Sequence, residues 1–315
     1  MAPLAIGIDV GGTQIRAALV AADGAVLDRL AVPTPATEGA AFVVARIAEA
    51  ARSVAGDAPV IGIGLSAPGP LDAERGIALA TPTIAGFVDF PLAAEVRAAT
   101  GLPVALENDG IAAAIGEWRF GAGRGLANLV YVTVSTGIGG GVVVDDHVLR
   151  GRKGMAGHIG HMTVMRGGEL CACGHHGCFE AHASGTAFLA RARRLAAGRA
   201  GSALHAPGPA LSGAAVFAAA AAGDALAEEL VAEEAEMLGL GFASLLHLYS
   251  PDVLVMGGGM SAQFAALGPR IEAAVRRIAM PPFRDVPILP AALGDNSGLA
   301  GAGALAFERF GPGAG

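Results

Sequence analysis

Apolar residues at the start of the chain are interrupted by glycine-rich and polar turns in a way that predicts short strands. LAIGIDVGGTQIRAALVAADGAVLDRL predicts strand, Gly-Gly turn, strand, Asp-Gly turn and strand, which together form a β-hairpin meander. AAFVVARIAEAARSVAG then carries apolar residues at helical spacing. PVIGIGLSAPGP is typical of a short buried strand that ends in a Pro/Gly loop.

A similar pattern returns in the middle of the chain. LANLVYVTVSTGIGGGVVVDDHVLRG again predicts strand, Gly-rich turn and strand, so an internal duplication of a hairpin-plus-helix unit is our hypothesis. Residues 193–212 predict a surface loop, and the following Ala- and Leu-rich stretch predicts a long helix that breaks near Gly223-Asp224. PDVLVMGGGMS predicts another strand, and a last helix is predicted at about residues 296–311. Alternating strands and helices indicate an α/β protein.

Length and composition narrow the class of protein. A chain of 315 residues favours two lobes. No run of about 18 apolar residues could span a bilayer, so no membrane partner is expected. MAPLAIGIDV lacks the features of a secretory signal, which predicts a cytoplasmic protein. The net charge of −7, without a block of Lys or Arg, argues against a nucleic-acid partner.

Three predicted strands run directly into glycine turns, at residues 6–13, 132–141 and 254–261. Glycine lets backbone N–H groups approach phosphate oxygens and adopt the conformations of an anion-binding nest. A single turn of this kind is more often a plain hairpin. Three of them, one opened by an Asp and two with Thr or Ser beside the glycines, favour nucleotide binding. None matches the P-loop or the dinucleotide fingerprint, so those two folds are excluded.

The segment Glu107-Asn108-Asp109 lies at the end of a predicted strand and before an Ala-rich helix. Asp is a favoured residue at a helix N-terminus, so Asp109 has a structural interpretation as a cap. It also has a chemical one. Phosphoryl transfer from ATP to an alcohol needs a carboxylate that accepts the hydroxyl proton, and Asp109 is our candidate for that base.

All three cysteines of the chain lie in CACGHHGC, as Cys171, Cys173 and Cys178. Three thiolates within eight residues, folded back by glycines, can reach one metal ion, and Zn²⁺ requires a fourth ligand that is typically His. Disulfides are the alternative, but an odd number of cysteines cannot all pair and the cytosol is reducing. A second alternative is that the thiols are buried apolar groups, against which the polar, His-rich surroundings argue.

The early DVGGT, the Thr-Gly turn in mid-chain and the late Gly-rich loop together resemble the superfamily of sugar kinases, actin and heat-shock ATPases. The resemblance implies a two-lobed actin-like ATPase (ribonuclease H-like) fold with ATP in an interlobe cleft. It implies that Asp9 interacts with Mg²⁺. The residues implied to contact phosphate are Gly11, Gly12, Thr13, Thr136 and Gly137, and those implied to lie against the adenosine are Gly257 and Gly258. Many relatives have Lys where this chain has Gln14, and we assign that position no role.

Within that superfamily, His158-Ile-Gly-His161 followed by CACGHHGCFE is similar to the ROK family of bacterial sugar kinases and sugar-responsive repressors. By this resemblance His161 completes a structural zinc site, whose ligands are His161, Cys171, Cys173 and Cys178. The site would hold Glu180 so that its carboxylate points at the sugar. The full set of residues implied to bind the sugar is Ser66, Pro68, Gly69, Asn108, Asp109, His158, His161 and Glu180.

His158 leaves the identity of the sugar open. Most kinases of the family have Glu there, and those with His that we know best resemble bacterial N-acetylmannosamine kinases. A neutral imidazole offers one donor and one acceptor, so His158 would donate to an N-acetyl carbonyl or simply replace one hydroxyl contact. LSAPGPLD (65–72), PTIAGFVDFPL (82–92), ENDGIAAA (107–114) and EAHASGTA (180–187) look more like the glucokinases of the family.

We therefore expect an ATP-dependent kinase that phosphorylates the 6-hydroxyl of a hexose, with glucose favoured. The alternatives are an N-acetylmannosamine or N-acetylglucosamine kinase, or a non-catalytic sugar sensor. A repressor is disfavoured because Asp9 leaves no room for a DNA-binding domain before it. We expect a smaller lobe at residues 1–110, to which the last helix returns, and a larger lobe with the zinc loop at 111–295. The resemblance also implies a homodimer, for which the apolar helix at 226–249 offers an interface.

Overall fold

The computed structural model describes residues 2–81, 83–205 and 211–313. Residues 206–210 of the predicted loop, and Pro82 at the start of the segment 82–92, lie outside the described residues. The chain forms two compact units. Unit 1 comprises Met1–Tyr131, Gly140–Gly157 and Ala291–Gly315, and unit 2 comprises Val132–Gly139 and His158–Pro290. The lobe boundaries proposed from the sequence stay a prediction.

Strands and helices alternate along the described chain. The strands are β1 (Leu4–Val10), β2 (Gln14–Ala21), β3 (Val26–Pro33), β4 (Val60–Ala67), β5 (Leu71–Asp72), β6 (Ile77–Ala80), β7 (Val88–Phe90), β8 (Val104–Asn108), β9 (Leu129–Val134), β10 (Ile138–Val144), β11 (His147–Val148), β12 (Val253–Gly257) and β13 (Ile288–Pro290). The helices are α1 (Ala40–Ala55), α2 (Leu92–Thr100), α3 (Asp109–Phe120), α4 (Phe179–Ala183), α5 (Gly185–Ala196), α6 (Gly213–Ala221), α7 (Ala225–Tyr249), α8 (Phe264–Ile278) and α9 (Ser297–Phe310).

The first sheet has the strand order β3-β2-β1-β4-β8 and belongs to unit 1. Strands β1, β2 and β3 form the antiparallel meander that the sequence predicted. Strands β4 and β8 run parallel to β1. Because parallel strands end at the same edge of a sheet, Asp9 at the end of β1 and Asn108 at the end of β8 lie at one edge.

The second sheet repeats this topology, with the order β11-β10-β9-β12-β13. Counted along the chain, both sheets have the order third, second, first, fourth, fifth. Strands β10 and β11 are antiparallel, as are β2 and β3 in the first sheet. Strands β12 and β13 are parallel, as are β4 and β8 in the first sheet. The repeat agrees with the internal duplication that we inferred from two sequence segments.

The two faces of β1 are buried against different partners. Ile6, Ile8 and Val10 join the apolar core that α1 covers through Val43 and Ile47. The opposite face of the sheet is lined by small residues because α9 lies directly on it. A side-chain atom on Gly7 or Gly64 would overlap backbone carbonyl oxygens of α9.

Helix α9 also lies against α3, and glycines allow this close approach. A side-chain atom on Gly301 would overlap the carbonyl oxygen of Ala112. The fully buried carboxylate of Glu117, near the end of α3, joins the two helices. Its Oε1 accepts the Ser297 hydroxyl at 2.7 Å and the Leu293 N–H at 2.9 Å. Helix α3, which begins at Asp109, is thereby fixed in unit 1.

Some elements were predicted correctly and others were missed. The helix break near Gly223-Asp224 is confirmed, since α6 ends at Ala221 and the Asp224 side chain caps α7 by accepting the Ala227 N–H at 2.9 Å. The predicted loop at 193–212 begins too early, because residues up to Ala196 form the last turn of α5 and Ala196 is buried. Helix α2 and the small antiparallel sheet of β5, β6 and β7 were not predicted. Within the described ranges, no helix is both long enough and apolar enough to cross a membrane.

We predict that Gly301→Ala destabilises the protein although alanine is intrinsically the better helix former. The added methyl group would press on the backbone of α3, and overpacking of this kind costs about 1–3 kcal/mol. The matched control is Gly213→Ala at the start of α6, where a new side chain would meet no atom within 4 Å. Urea unfolding should show a lower midpoint for the first variant and an unchanged or higher midpoint for the second. Equal stability of Gly301→Ala and wild type would contradict the packing described here.

Candidate active site

The first glycine turn follows β1 in unit 1 and is fixed by a threonine that the sequence did not single out. The Gly11 N–H donates to the Gln14 carbonyl at 2.9 Å, which closes the turn. The Thr34 hydroxyl donates to the Gly11 carbonyl at 2.7 Å, and the Thr34 N–H donates to the Thr13 carbonyl at 2.9 Å. Gly12 and Thr13 are exposed, so the outer side of the turn is accessible to a ligand.

Asp9 lies at the base of this turn with one close partner on each side. The Ser66 hydroxyl donates to Asp9 Oδ1 at 2.7 Å, and Arg16 Nη1 lies 3.8 Å from Asp9 Oδ2. Burial raises the pKa of Asp9 above its ordinary value, while the Ser66 hydrogen bond and the charge of Arg16 act in the opposite direction. Ser66 itself is fully buried. The structure thus shows Ser66 as a partner of Asp9, and its contact with a sugar stays a prediction.

Pro68 and Gly69 follow β4 in the same unit and are half-buried. The Pro68 carbonyl accepts the hydroxyl of Thr81 at 3.1 Å, which ties this loop to the segment after β6. A side-chain atom on Gly12 would lie 3.2 Å from Cβ of Thr83. Thr83 therefore lies beside the first glycine turn.

Asp109 is the first residue of α3, but it is not the helix cap. Asn108 takes that position, and its side-chain oxygen accepts the Gly110 N–H at 3.0 Å. The Asp109 side chain is exposed, yet the surrounding protein displaces part of its hydration. This desolvation, together with the negative charge of Asp9, raises the pKa of Asp109 to about 6. A solvent-accessible carboxyl with a pKa close to neutral is suited to accept a proton.

The strand end that carries Asn108 and Asp109 is held by an ion pair that sequence reasoning missed. Glu107 is buried, and its Oε1 accepts the Asn108 N–H at 3.1 Å. Arg150 Nε donates to Glu107 Oε2 at 2.8 Å, and Arg150 Nη2 lies 3.4 Å from Glu308 Oε1 on α9. Burial raises the pKa of Glu107, and Arg150 opposes that rise. No local pattern identifies Arg150, because its partners are distant in sequence.

The second glycine turn lies in unit 2, where Glu180 contacts it directly. The Ser135 N–H donates to the Gly137 carbonyl at 2.9 Å, which closes the turn around Thr136. Glu180 Oε2 accepts the Ile138 N–H at 2.9 Å. A side chain at Gly137 would overlap that carboxylate and displace it from its hydrogen bond with Ile138. A residue predicted to bind sugar is thereby bonded to a turn predicted to bind phosphate.

The third glycine loop follows β12 in the same unit. Gly257 is the last residue of that strand, and Gly258 has a φ of 79°. A side-chain atom on Gly258 would lie 2.6 Å from the carbonyl oxygen of Val134 in β9. The loop therefore packs on the strand that leads into the second turn. Its contact with adenosine stays a prediction.

His161, Cys171, Cys173 and Cys178 form one cluster in unit 2, and their ligand atoms all lie within 4.8 Å of one another. Cys171 Sγ is 3.7 Å from His161 Nδ1, and Cys173 Sγ is 3.6 Å from Cys178 Sγ. Zinc–sulfur bonds of about 2.3 Å in a tetrahedron place ligand atoms about 3.8 Å apart, so the donor set fits Zn²⁺. The three thiols are free, and Cys173 is exposed, so neither disulfides nor three buried thiols describe the cluster.

Two residues predicted to bind the sugar, Glu180 and His158, lie beside the cluster. Cys171 Sγ lies 3.8 Å from Glu180 Oε1, and the rings of His158 and His161 are stacked with centroids 6.4 Å apart. His161 is an exposed residue, and its Nδ1 faces Cys171. The three sugar candidates of unit 2, His158, His161 and Glu180, therefore form a compact group around the cluster.

A buried ion pair anchors the helix that carries Glu180. Arg191 Nη2 lies 2.6 Å from Oε2 of the fully buried Glu234, and Arg191 Nη1 donates to the His182 carbonyl in α4 at 3.0 Å. His182 Nε2 accepts the Glu169 N–H at 3.2 Å, and burial lowers its pKa. Helix α4 is thus fixed to α5 and α7, and with it the position of Glu180.

Comparisons with known proteins identify the family of this chain. The model of the ROK family matches residues 5–309. A glucokinase of Streptomyces coelicolor is 36% identical, with 97% of this chain and 98% of the relative covered. An N-acetylmannosamine kinase of Escherichia fergusonii is 33% identical, with 96% of this chain and 97% of the relative covered. The crystal structure of a ROK glucokinase from Streptomyces griseus with glucose and AMPPNP has a TM-score of 0.83 and 35% identity, and covers 96% of this chain and 98% of its own.

The predicted fold class is confirmed: this is an α/β protein with the actin-like ATPase fold of sugar kinases. The chain belongs to the ROK family, as its sequence motifs had indicated. The roles predicted for individual residues stay predictions, and they divide between the units. Unit 1 holds Asp9, Gly11, Gly12, Thr13, Ser66, Pro68, Gly69, Asn108 and Asp109, and unit 2 holds the others.

Proposed function

We propose that this protein transfers the γ-phosphoryl group of ATP to the 6-hydroxyl of a hexose, with glucose the favoured substrate. The observation that carries the proposal is the pair of carboxylates in unit 1. Asp109 is exposed, free of the capping role and has a pKa of about 6, while Asp9 lies at the base of a glycine turn. The glucokinase relatives support glucose as the sugar and ATP as the donor.

In the proposed reaction, Asp109 accepts the proton of the 6-hydroxyl as that oxygen bonds to the γ-phosphorus. The bond from the γ-phosphorus to the bridging oxygen breaks, and ADP leaves with its electron pair. Phosphoryl transfer depends mainly on positioning and on charge stabilisation, which the backbone N–H groups of the glycine turns would provide. Mg²⁺ bound with the nucleotide would neutralise phosphate charge, and Asp9 is the residue that would hold it.

The residues proposed to bind the sugar are Asn108 and Asp109 of unit 1 and His158, His161 and Glu180 of unit 2. His158 is the specific feature that favours a second candidate function, an N-acetylmannosamine or N-acetylglucosamine kinase. Its imidazole can donate to an acetamido carbonyl, which a carboxylate at this position would repel. The N-acetylmannosamine kinase relative supports this alternative. The third candidate, a sensor without catalysis, would have no use for an accessible Asp109.

A coupled ADP-release assay with MgATP tests the proposed function. Glucose, mannose, N-acetylglucosamine and N-acetylmannosamine are compared at equal concentrations. Highest kcat/KM with glucose supports a glucokinase, and preference for N-acetylmannosamine transfers the proposal to the second candidate. Absence of turnover with all four sugars, alongside measurable sugar binding by calorimetry, supports the sensor.

We predict that Asp109→Asn lowers kcat by about 10²–10⁴-fold, the range expected for loss of a general base. The amide keeps the shape of the side chain and its ability to contact a hydroxyl, so sugar binding by calorimetry should survive. Asp57→Asn is the matched control, because it makes the same change at an exposed position of unit 1. A kcat of Asp109→Asn equal to that of the control eliminates Asp109 as the base.

We also propose that His161, Cys171, Cys173 and Cys178 hold a structural Zn²⁺. Desolvation, together with hydrogen bonds from the neighbouring thiols, raises the pKa of Cys178 to about 12. Three close thiolates therefore need a cation to exist together. The zinc would act on the sugar site through Glu180, which lies beside Cys171, and not on the reacting atoms.

Elemental analysis of the purified protein should find one zinc per chain, and Cys178→Ser should lose it. Because loss of zinc would release Glu180, we expect a higher KM for the sugar with little change in the KM for ATP. His175→Ala, an exposed histidine of the same loop outside the cluster, is the control. If Cys178→Ser fails to fold, chelation and zinc re-addition to wild type gives the same test. Full sugar affinity in zinc-free protein argues against the assignment.

Homodimerisation through α7 also stays a proposal. Most apolar residues of this helix are buried within unit 2, whereas Leu248 near its end is exposed. Sedimentation of wild type and Leu248→Glu would decide whether this end of the helix forms an interface.

A further inference from the structure

Arg16 lies beside the first glycine turn, and its partner in the site is Asp9. It is the cross-strand partner of Asp9 in the antiparallel pair of β1 and β2. Side chains of directly opposed residues lie on the same face of a sheet. The guanidinium therefore stands next to the Asp9 carboxylate, with Arg16 Nη1 3.8 Å from Asp9 Oδ2.

The Arg16 guanidinium has N–H donors that Asp9 does not occupy. Its separation from Asp9 is too long for a strong hydrogen bond, and Asp9 already accepts the Ser66 hydroxyl at 2.7 Å. Within the part of the chain that the structure describes, no other group pairs with Arg16. An arginine presents five N–H donors in a planar fork, and this fork matches the oxygens of a phosphate. The side chain is 36% exposed, so a ligand can reach it.

On this face of β2, the positive charge beside the turn comes from Arg16. Gln14, two residues earlier on the same face of β2, is exposed and neutral. The turn from Gly11 to Thr13 offers backbone N–H groups but no charge. A nucleotide phosphate at this turn would lie beside the Asp9 carboxylate, and a fixed cation there would reduce the repulsion between them.

We propose that Arg16 binds the phosphate chain of the nucleotide at the Gly11–Thr13 turn and offsets the charge of Asp9 there. This rests on the proposed kinase function and adds to it a phosphate-binding residue. It also explains how the turn accepts a polyanion beside a carboxylate. Arg16 acts on the nucleotide, so it has no part in binding the sugar.

The test is calorimetric titration of MgAMPPNP into sugar-free protein. Arg16→Gln should weaken nucleotide binding by about tenfold, the effect expected for one charge-assisted contact. Its KM for the sugar and its melting temperature should match wild type. Arg46→Gln is the matched control, since Arg46 is comparably exposed in the same unit and pairs only with Glu49 on its own helix.

A double variant that moves the positive charge from residue 16 to residue 14 separates binding from a structural role. Gln14→Lys combined with Arg16→Gln returns a cation to the same face of β2, and we expect it to recover much of the lost affinity. A structural role of the Asp9–Arg16 pair predicts no such recovery, and instead predicts a lower melting temperature for Arg16→Gln. Should Arg16→Gln fold poorly, Arg16→Lys takes its place. Because lysine keeps the charge but loses the planar fork, it should bind MgAMPPNP more weakly than wild type by less than about tenfold, and unchanged affinity would count against the contact.

The possible failures are distinguishable. Unchanged nucleotide affinity in Arg16→Gln, in a protein whose wild type binds MgAMPPNP and phosphorylates a hexose, overturns the role of Arg16 and leaves the proposed function standing. Absence of nucleotide binding and turnover in wild type overturns both.

Discussion

Helix α9 lies so close to strands β1 and β4 and to helix α3 that glycine is the residue at the points of contact. The backbone of α9 fills the space that side chains at Gly7, Gly64 and Gly301 would need. Because α3 is fixed against α9, and Glu117 bonds the two helices, the start of α3 has one position relative to the end of β1. Asp109 and Asp9 are therefore held near enough for their charges to interact.

The surroundings of the two carboxylates differ. Burial raises the pKa of Asp9, and a hydroxyl donor and a cation beside it oppose that rise. Asp109 is supported by backbone N–H groups and a hydrogen bond with Asn108, but desolvation and the charge of Asp9 outweigh them and raise its pKa to about 6. Two like groups in different surroundings can thus act as an electrostatic anchor and as a base. In unit 2, the contact of Glu180 with Ile138 N–H joins the Cys/His cluster to the second glycine turn.

The sequence predicted what is encoded locally. The meander, the helix break at Gly223-Asp224 and the Cys/His cluster each follow from residues close together in the chain, and the structure bears them out. The short strands β5 to β7 were missed because two to four residues carry no readable periodicity. The end of α5 was assigned to a loop because its composition is rich in Ala and Gly, although burial of Ala196 extends the helix.

Contacts between segments that are distant in the sequence could not be predicted from local patterns. Thr34 on the first turn, Arg150 on Glu107 and Arg191 on Glu234 are each more than 20 residues from their partners. Ser66 was identified as a site residue, but only the structure shows that its hydroxyl is directed to Asp9. The role of the glycines at α9 could not be predicted from the sequence, because the backbone that packs against each of them comes from a distant part of the chain.

The pH dependence of kcat/KM for glucose at saturating MgATP tests the central claim most directly, because glucose itself does not titrate in the relevant range. A base with a pKa of about 6 is ionised above that pH and protonated below it. We therefore expect kcat/KM to be level above pH 7 and to fall about tenfold per pH unit well below pH 6. A profile that stays level down to pH 5 would contradict the assignment of Asp109 as a base whose pKa is raised by its surroundings.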